Sequence, residues 1–386
     1  MRLSVALPDL QDAMTITRRI SATRKRACIL EARDGKLIFS GHHWSGVRIV
    51  NSIPAEIEKE GRCQIFFSDL EYAVPFVIPS GDTQVPLWLD EAGSLVVELD
   101  EYRNLEIRAR TVDVPPIDDP PVLSTVYAAA PFRQLIRRVI ESTIVSPAHR
   151  DQRLFHYVRC DSDEVYSTDG YWASWHPLEG DHETYGELFP EPVLLPRKVF
   201  RLLDLCTKRP LLQTFMAGWY DRRLFFQAGD ASISTPTNKG ALNDYPDVPA
   251  TFPDRADARF IITVQRAPLV KALLRLVRKT QQMTRREQDP LSIKYYGGLI
   301  TLQQEREEED LPAIHIADRR APRLLGEDFS VGLDALHLYL AIKHLKARAI
   351  RIHIFRVLDP LLITCHEPAS YIIMPREERK LMRHGK

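Results

Sequence analysis

Histidines, cysteines and carboxylates are the residues most able to catalyse a reaction or hold a metal, and their spacing here indicates neither. His42 and His43 are adjacent, so on a strand their side chains face opposite sides and cannot share a metal ion. Asp161 and Asp163 flank a predicted turn, and the acidic run at 307–310 is typical of a solvated loop. The sequence also lacks the HExxH, P-loop, GxSxG and GxGxxG motifs. We therefore predict a protein that is not an enzyme and that has no catalytic residue, no metal site and no cofactor.

Cysteine usage and hydropathy indicate the compartment. The five cysteines are widely spaced and never form a CxxC pair, which is typical of a reducing cytoplasm; they are Cys28, Cys63, Cys160, Cys206 and Cys365. The first residues alternate like a strand and show no signal-peptide core. Since no apolar run reaches the roughly 18 residues of a membrane span, we expect no membrane partner.

Positive charge is the second chemical signal, although the chain is neutral overall. It has 52 Lys and Arg against 52 Asp and Glu in 386 residues, which excludes a uniformly basic nucleic-acid coat protein. Three predicted amphipathic helices place basic residues opposite their apolar stripe: Arg133 and Arg137; Arg197, Arg201 and Lys208; Lys271, Arg275, Arg278 and Arg285. One such face is typical of a solvated helix. Three faces in repeated positions could instead converge and hold a phosphate backbone without reading its sequence.

These helices belong to a pattern that occurs three times. A predicted strand, a proline and an amphipathic helix follow one another at 3–20, 125–140 and 260–277. Proline suits the first turn of a helix, where its missing N–H costs nothing. Each third has a second transition from strand to helix, with strands at 64–67, 193–195 and 329–331, and a predicted strand–turn–strand pair, at 28–40, 154–167 and 292–303.

Two proline-rich stretches, at 114–122 and 245–253, separate the thirds. We therefore predict an α+β protein of three similar domains, each with two helices packed on about eight antiparallel strands. Their boundaries are 1–124, 125–253 and 254–386, and the last domain carries a C-terminal tail at 377–386.

Five short motifs give this organisation a family resemblance. They are the helix and loop at 140–151, the turn Ser167-Thr168-Asp169-Gly170, the helix start at 193–198, Tyr245-Pro246-Asp247, and the closing strands at 359–363 and 371–375. In these motifs the chain resembles the bacterial β sliding clamp, the processivity subunit of DNA polymerase III. Each motif is weak alone, but they occur in the family's order and spacing on an independently inferred repeat. The resemblance covers all three thirds.

The resemblance implies the DNA clamp fold and a non-catalytic processivity factor. Such a protein forms a six-domain ring as a head-to-tail homodimer and encircles double-stranded DNA without reading its sequence. Twelve helices would line the hole, and the edge strand near 105–107 would abut the third domain of the other subunit. A clamp loader would open the ring, and DNA polymerase and other partners would bind through a hydrophobic cleft. The expected location is the cytoplasm, in association with the nucleoid.

The resemblance also implies two sets of site residues. Those matching the family's partner-peptide cleft are Thr168, Gly170, Tyr171, Trp172, Ala173, Pro246, Ile372, Ile373, Met374, Pro375 and Arg376. A mostly apolar pocket suits a hydrophobic anchor peptide, although residues 372–374 could also be no more than a buried terminal strand. Those at the family's DNA-contact positions are Arg24, His149, Arg150, Arg197 and Lys198, each of which could also be an ordinary surface charge.

Four departures from the family pattern keep an alternative open. Tyr171 and Trp172 replace the usual His-Arg pair, the loop after His149 is short, the tail continues past the usual end, and the helix predicted at 69–78 has no basic residue. These features favour a divergent clamp-like paralogue or adaptor, serving a specialised repair or mobile-element partner. A DNA-binding regulator is a third class, but the sequence has no recognition-helix signature.

Overall fold

The computed structural model describes residues 1–20, 27–43, 45–77, 84–100, 102–143, 153–178, 187–208, 212–280, 290–296, 299–304, 307–318, 329–356, 359–367 and 369–375. The chain forms two compact units. The first consists of Met1–Arg133 and Leu195–Asn238, and the second of Gln134–Leu194 and Lys239–Lys386.

Within the described residues the protein has six α-helices: α1 (Leu7–Ile20), α2 (Phe67–Ala73), α3 (Ala129–Ile140), α4 (Arg197–Cys206), α5 (Arg266–Thr280) and α6 (Ala335–Lys343). Each predicted transition from strand to helix is confirmed, and Pro8, Pro131 and Pro268 lie in the first turns of α1, α3 and α5. The helix predicted at 69–78 is shorter than expected. It gives way to a 3₁₀ turn at Val74–Phe76, because Pro75 cannot continue an α-helix.

The same residues form 25 strands: β1 (Arg2–Ala6), β2 (Ala27–Arg33), β3 (Lys36–His42), β4 (Arg48–Pro54), β5 (Glu56–Lys59), β6 (Gly61–Phe66), β7 (Gln84–Leu89), β8 (Ser94–Asp100), β9 (Arg103–Arg110), β10 (Val126–Ala128), β11 (Tyr157–Cys160), β12 (Glu164–Thr168), β13 (Trp172–Pro177), β14 (Val193–Pro196), β15 (Thr214–Tyr220), β16 (Arg223–Ala228), β17 (Ala231–Pro236), β18 (Phe260–Gln265), β19 (Leu291–Tyr296), β20 (Leu299–Gln304), β21 (Glu307–Asp318), β22 (Phe329–Leu333), β23 (Ala349–Ile354), β24 (Leu361–Thr364) and β25 (Ser370–Ile373).

The first unit contains one antiparallel sheet of 13 strands, in the order β10-β15-β16-β17-β4-β3-β2-β6-β9-β8-β7-β1-β5. The sheet passes from the first third of the chain to the middle third where β4 pairs with β17, with Asn51 opposite Ala231 and Arg48 opposite Ser234. The apolar sides of α1 and α2 pack into a core with the strands, and Leu10, Leu30 and Phe67 lie inside it.

The second unit contains a sheet of 12 strands, in the order β14-β11-β12-β13-β25-β24-β23-β18-β21-β20-β19-β22. It passes from the middle third to the last third where β13 pairs with β25, with Trp172 opposite Ile373. Helices α5 and α6 contact each other, and their apolar residues, Leu269, Leu273 and Leu338 among them, share one core with Trp172.

Two local predictions were wrong. Residues Arg153–His156 form a 3₁₀ helix, so the strand predicted from residue 154 begins only at Tyr157. The acidic run at 307–310 is not a loop but the start of β21, where Thr301 of β20 pairs with Asp310. Among the described strands, that part of β21 pairs only with β20 and is therefore a sheet edge there.

The described residues contain no helix that is long and apolar enough to cross a membrane. Nor do they contain a group of three or more His, Cys, Asp or Glu that could hold a metal ion. All five cysteines are free, and burial raises the pKa of the Cys28 and Cys63 thiols to about 12, which makes these two poor nucleophiles.

Candidate partner-peptide and DNA-contact sites

The turn between β12 and β13 is built by its own side chains. Thr168 Oγ1 accepts a hydrogen bond from Gly170 N at 3.0 Å and donates one to Trp172 O at 2.9 Å. Asp169 Oδ1 accepts from Tyr171 N at 2.9 Å and from Trp172 N at 3.1 Å. Gly170 has φ +85°, and a Cβ there would lie 3.3 Å from the ring of Phe155. The turn therefore requires glycine, for its backbone conformation and for the close contact.

The end of β25 lies beside this turn. Met374 N donates a hydrogen bond to Tyr171 O at 2.8 Å, which extends the β13–β25 ladder by one step beyond Ile373. Met374 keeps 40% of its surface exposed, Gly170 is exposed, and Tyr171 and Pro375 are half-buried. Two segments 203 residues apart along the chain, at Tyr171 and Met374, thus present an aromatic ring and an apolar side chain on one surface.

Trp172 does not reach that surface. It is 1% exposed and stacks on His337 of α6, with ring centroids 5.6 Å apart, and on Tyr371 of β25 at 6.5 Å. His337 Nε2 lies 3.6 Å from Asp169 Oδ2, so this imidazole contacts both the turn and the indole. Trp172 therefore supports the turn from inside the core of the second unit.

The strand residues predicted for the cleft are also buried. Thr168, Ala173, Ile372 and Ile373 are at most 6% exposed. Ala173 and Ile372 share a hydrophobic cluster with Tyr245, whose hydroxyl donates to Tyr157 O at 3.0 Å. The exposed Pro246 follows Tyr245 directly, and Arg376 lies outside the described residues.

Three residues that sequence reasoning missed shape this surface from below: Phe155, Tyr245 and His337. Tyr245 stands in one of the recognised motifs, Tyr245-Pro246-Asp247, and its aromatic type was the available signal. Phe155 and His337 carried no such signal. They reach the turn only because a 3₁₀ helix and α6 are folded against it.

The predicted DNA-contact residues are only partly described. Arg24, His149 and Arg150 lie outside the described residues. Arg197 and Lys198 begin α4 and are half-buried, while Val199, Phe200 and Leu203 pack into the core on the other side of the helix.

The basic residues predicted on the outer faces of the helices differ in their exposure and in their contacts. Lys271, Arg275 and Arg278 of α5 are exposed, opposite a buried apolar stripe, as predicted. Arg133 of α3 is instead half-buried, and its Nη1 donates to Thr207 O at 2.8 Å, at the carboxyl end of α4. Arg285 lies outside the described residues.

The sequence matches no protein-family model, and no curated protein sequence matches it.

Solved structures, by contrast, are similar over nearly the whole chain. The DNA polymerase III beta subunit of Thermotoga maritima superposes with TM-score 0.74 at 15% identity, over 97% of this chain and 99% of that one. The beta chain of Streptococcus pneumoniae DNA polymerase III gives 0.74 at 15%, over 97% and 99%. The DNA polymerase sliding clamp of Caulobacter crescentus gives 0.72 at 17%, over 98% and 100%. The resemblance inferred from short motifs is thereby confirmed at the level of the fold: this chain has the α+β architecture of the DNA sliding clamps.

Proposed function

We propose that this protein is a DNA sliding clamp, a homodimeric ring that encircles duplex DNA and tethers a polymerase to it. The observation that carries the proposal is a strand-to-strand join that occurs twice within one chain. The closing strand of the middle third, β17, pairs with β4 of the first third, and the closing strand of the last third, β25, pairs with β13 of the middle third.

If the repeat is regular, a third pairing of this kind is expected, between the closing strand of the first third and a strand of the last third. Strands β4, β13 and β21 are equivalent, because each is the third strand after the first helix of its third. The closing strand β9 and the strand β21 are therefore the two that lack this join within the described chain. Pairing β9 of one subunit with β21 of a second, twice over, would close a head-to-tail dimer, which is a heterologous contact that forms a ring.

One edge of β9 could accept a strand from a second subunit. It pairs with β8 along Arg103–Arg108 but with β6 only at Ala109 and Arg110, so one edge lacks a strand partner among the described residues. A groove of about 450 Å³ lies there, lined by Phe66, which is 45% exposed, and by Arg108 and Arg110. The sequence of β21 begins with four acidic residues at 307–310, opposite in charge to the arginines of β9. Charge complementarity would fix both partner and register.

DNA would be held by enclosure rather than by tight contacts. Exposed Lys271, Arg275 and Arg278, together with Arg197 and Lys198, would face phosphates as a diffuse positive surface, which holds a duplex while letting it slide. Arg24, His149 and Arg150 remain proposed DNA contacts from the family resemblance. A clamp loader would open the ring, the clamp itself would catalyse no reaction, and it would act in the cytoplasm at the nucleoid.

The surface around Met374 would be the tether. Met374, Tyr171, Gly170 and Pro246 would receive a hydrophobic side chain of a polymerase peptide, over a rigid floor of Trp172 and Ile372. In one structure of the Caulobacter crescentus β sliding clamp, polyethylene glycol is bound to a region proposed to tether the β-motif. Each third, at 1–124, 125–253 and 254–386, would be one domain of the ring.

The decisive experiment loads the protein, with a bacterial clamp loader and ATP, onto nicked circular DNA and separates complexes by gel filtration. A sliding clamp stays on the circle and is lost after the circle is linearised, because it slides off the ends. Equal retention on both forms would contradict enclosure.

The clamp-like adaptor remains a second candidate, and α2 is the observation that favours it. This helix carries Asp69 and Glu71 but no basic residue, so one of the six described helices cannot contribute positive charge. An adaptor would show no loader-dependent retention on either form of DNA and would still bind its partner peptide.

A further inference from the structure

One face of the sheet in the second unit is covered by the segment 241–252. Tyr245 and Val248 of this segment are at most 4% exposed, and they lie in one hydrophobic cluster with Ala173 of β13 and Ile372 of β25. Ala173 and Ile372 are paired with each other across the two strands. This part of the face is therefore core rather than surface.

The next pair on the same face is exposed. Met374 N donates to Tyr171 O, so these two residues continue the β13–β25 ladder two positions beyond Ala173 and Ile372. Because side chains alternate between the faces of a sheet, all four lie on one face. Among the described residues the covering segment ends before Met374, which is 40% exposed. The exposed pair, with Gly170 and Pro246, forms the Met374 surface.

The chain leads from this surface into a segment with a single apolar group. The described residues end at Pro375, directly after Met374. In the C-terminal tail 377–386 the only apolar residues are Leu381 and Met382, which are adjacent. The other eight tail residues are four Lys and Arg, two Glu, one His and one Gly. An adjacent apolar pair in a charged segment suits a small apolar surface better than it suits water.

The apolar pair is within reach of the surface. Leu381 is six residues beyond Pro375, and six residues of chain span at most about 20 Å. A group held by so short a linker has an effective concentration of about 1 mM at a neighbouring site. An intrinsic dissociation constant of about 0.1 mM would then keep the surface about 90% occupied. Weak contacts are therefore enough for the tail to cover it.

Carboxylates lie beside the covering segment. Glu164 of β12 is half-buried, and its Oε2 accepts a hydrogen bond from Trp175 Nε1 at 2.7 Å. Burial raises the pKa of Glu164, and the charges of Asp161 and Asp247 raise it further, against the Trp175 bond and the charge of Arg159. Three carboxylates thus lie close together with one guanidinium, and this group of described residues is negative.

The negative group and the Met374 surface are neighbours. Asp247 is exposed and directly follows Pro246, which belongs to that surface. Glu164 lies at the far end of β12 from the turn at Gly170, about 14 Å along the strand. Two basic residues of the tail, at 383 and 386, follow the apolar pair by one and four residues, which covers a similar span. Charge complementarity therefore favours this basic tail as the occupant.

We propose that the tail 377–386 folds back on its own chain and covers the Met374 surface. Leu381 and Met382 pack against Met374 and Tyr171, and Arg383 and Lys386 approach Asp247 and Glu164. This inference rests on the proposed role of the Met374 surface as a docking site. A polymerase peptide must then displace the tail, so only peptides with stronger apolar anchors than the tail's own gain access.

Oxidation of Met374 measures the cover directly, in the full chain and without a partner. Hydrogen peroxide converts an accessible methionine into its sulfoxide, which peptide mass spectrometry quantifies. We expect Met374 to oxidise about tenfold faster in a Leu381→Ser, Met382→Ser chain than in the unaltered chain, because the surface is uncovered. Half-buried Met216, in the first unit, is the internal reference and should oxidise at one rate in both.

A matched variant controls for the loss of two apolar side chains. Val112→Ser with Val122→Ser removes such side chains from positions that are 68% and 100% exposed in the first unit. This double variant should leave the oxidation rate of Met374 unchanged. Protection of Met374 should also be independent of protein concentration. Protection that grows with concentration would assign the cover to the tail of a second copy and overturn the proposal.

A synthetic tail measures the same contact in trans. A dye-labelled peptide with the sequence of residues 376–386 should bind the Leu381→Ser, Met382→Ser chain with a dissociation constant of about 0.1 mM, read by fluorescence anisotropy. It should bind the unaltered chain about tenfold more weakly, because the chain's own tail competes. Met374→Ala in the double-serine chain should weaken binding, and Asp247→Asn should weaken it about twofold. Asp221→Asn, on an exposed turn of the first unit, should not.

Equal oxidation of Met374 in the unaltered and double-serine chains would overturn the proposal, as would a tail peptide that does not bind. Neither measurement uses DNA, a clamp loader or a polymerase peptide. A Met374 surface that binds a polymerase peptide but is not protected by the tail would refute this inference alone. A chain whose tail protects Met374 but which is not retained on circular DNA would refute the clamp and support the tail.

Discussion

At the scale of single residues, neighbouring residues where the turn between β12 and β13 ends have different roles. Met374 and Tyr171 meet on the surface, held by one backbone hydrogen bond of 2.8 Å. Trp172, the next residue along, is buried against His337 and Tyr371 and gives that surface a rigid base. Adjacent residues therefore differ in role: Tyr171 can contact a partner, whereas Trp172 supports the surface from inside the core.

Substitutions at Met374 and Trp172 should distinguish contact with a partner from support of the fold. Met374→Ala should weaken binding of a polymerase peptide and leave the free energy of unfolding nearly unchanged, because the side chain is 40% exposed. Trp172→Ala should lower the free energy of unfolding by about 3–5 kcal/mol, as for other large buried aromatics. Peptide anisotropy and urea unfolding of both variants measure this. A Trp172→Ala protein of normal stability would contradict its assignment to the core.

A half-buried ionic cluster in the second unit gives a pH prediction. Glu141 bonds Lys343 Nζ at 2.7 Å and lies 3.3 Å from His344 Nε2. Burial raises the pKa of Glu141, but the hydrogen bonds from His344 and Lys343 outweigh it and lower that pKa to about 2.

A carboxyl group whose pKa is lower in the folded than in the unfolded state stabilises the fold above its unfolded pKa. That stabilisation is lost as pH falls from about 4.5 towards 2. Glu141→Gln should therefore reduce stability at pH 7 and bring the two proteins closer together in urea unfolding at pH 3. Glu91→Gln, at an exposed turn, is the control and should show no such convergence.

At the scale of elements, glycine turns and strand edges determine which strands of neighbouring thirds can pair with each other. The glycines Gly46 and Gly170 both have positive φ. Each turn comes just before a strand, β4 or β13, that pairs with a strand of the next third of the chain. A side chain at either position is strained in φ and also meets a neighbour.

Gly46→Ala is the sharper of the two glycine substitutions. Its Cβ would lie 2.7 Å from Pro236, against 3.3 Å from Phe155 at Gly170, so the ring of Pro236 or the join itself must move. We expect a loss of about 1–3 kcal/mol in unfolding free energy for Gly46→Ala and a smaller loss for Gly170→Ala. Gly35→Ala has a positive φ but no atom within 4 Å, and it isolates the cost of the backbone conformation alone.

The edge of β9 that has no strand partner among the described residues gives a test of the proposed dimer. Arg108→Glu with Arg110→Glu should turn attraction towards the acidic start of β21 into repulsion and convert the proposed dimer into monomers. Sedimentation velocity checks this, with Arg222→Glu as a charge-matched control far along the sequence on an exposed turn. Dimers that persist in the double variant would exclude this edge from the interface.

At the scale of the whole molecule, each unit draws strands from more than one third of the chain. The middle third contributes β10 and β15–β17 to the first unit and β11–β14 to the second. The sheets therefore run across the boundaries of the sequence repeat, and an individual third would leave open edges. This explains why a repeat visible in the sequence gives continuous sheets rather than three separate ones.

The proposed ring makes a prediction about mass and shape. If β9 of one chain pairs with β21 of a second, as proposed above, small-angle X-ray scattering should give a mass near twice 44.3 kDa with a hollow profile. A 44.3 kDa monomer would retain the fold and favour the adaptor.

The sequence alone determined the order of elements. Six transitions from strand to helix could be predicted because proline, apolar periodicity and strand alternation act over a few residues, and such local signals survive without tertiary context. The sequence also grouped Met374 with the turn at Gly170. That grouping came from the family resemblance of two motifs and not from periodicity or local propensity.

Only the tertiary structure decided the rest. Burial of Trp172, the approach of His337 to Asp169, and the cavity lined by Arg48 and Arg223 all depend on segments distant in the chain. The acidic run at 307–310 became a strand because β20 supplied backbone partners that local charge cannot reveal. Long-range pairing and packing carry no sequence period of their own, and they decide which residues become surface and which become core.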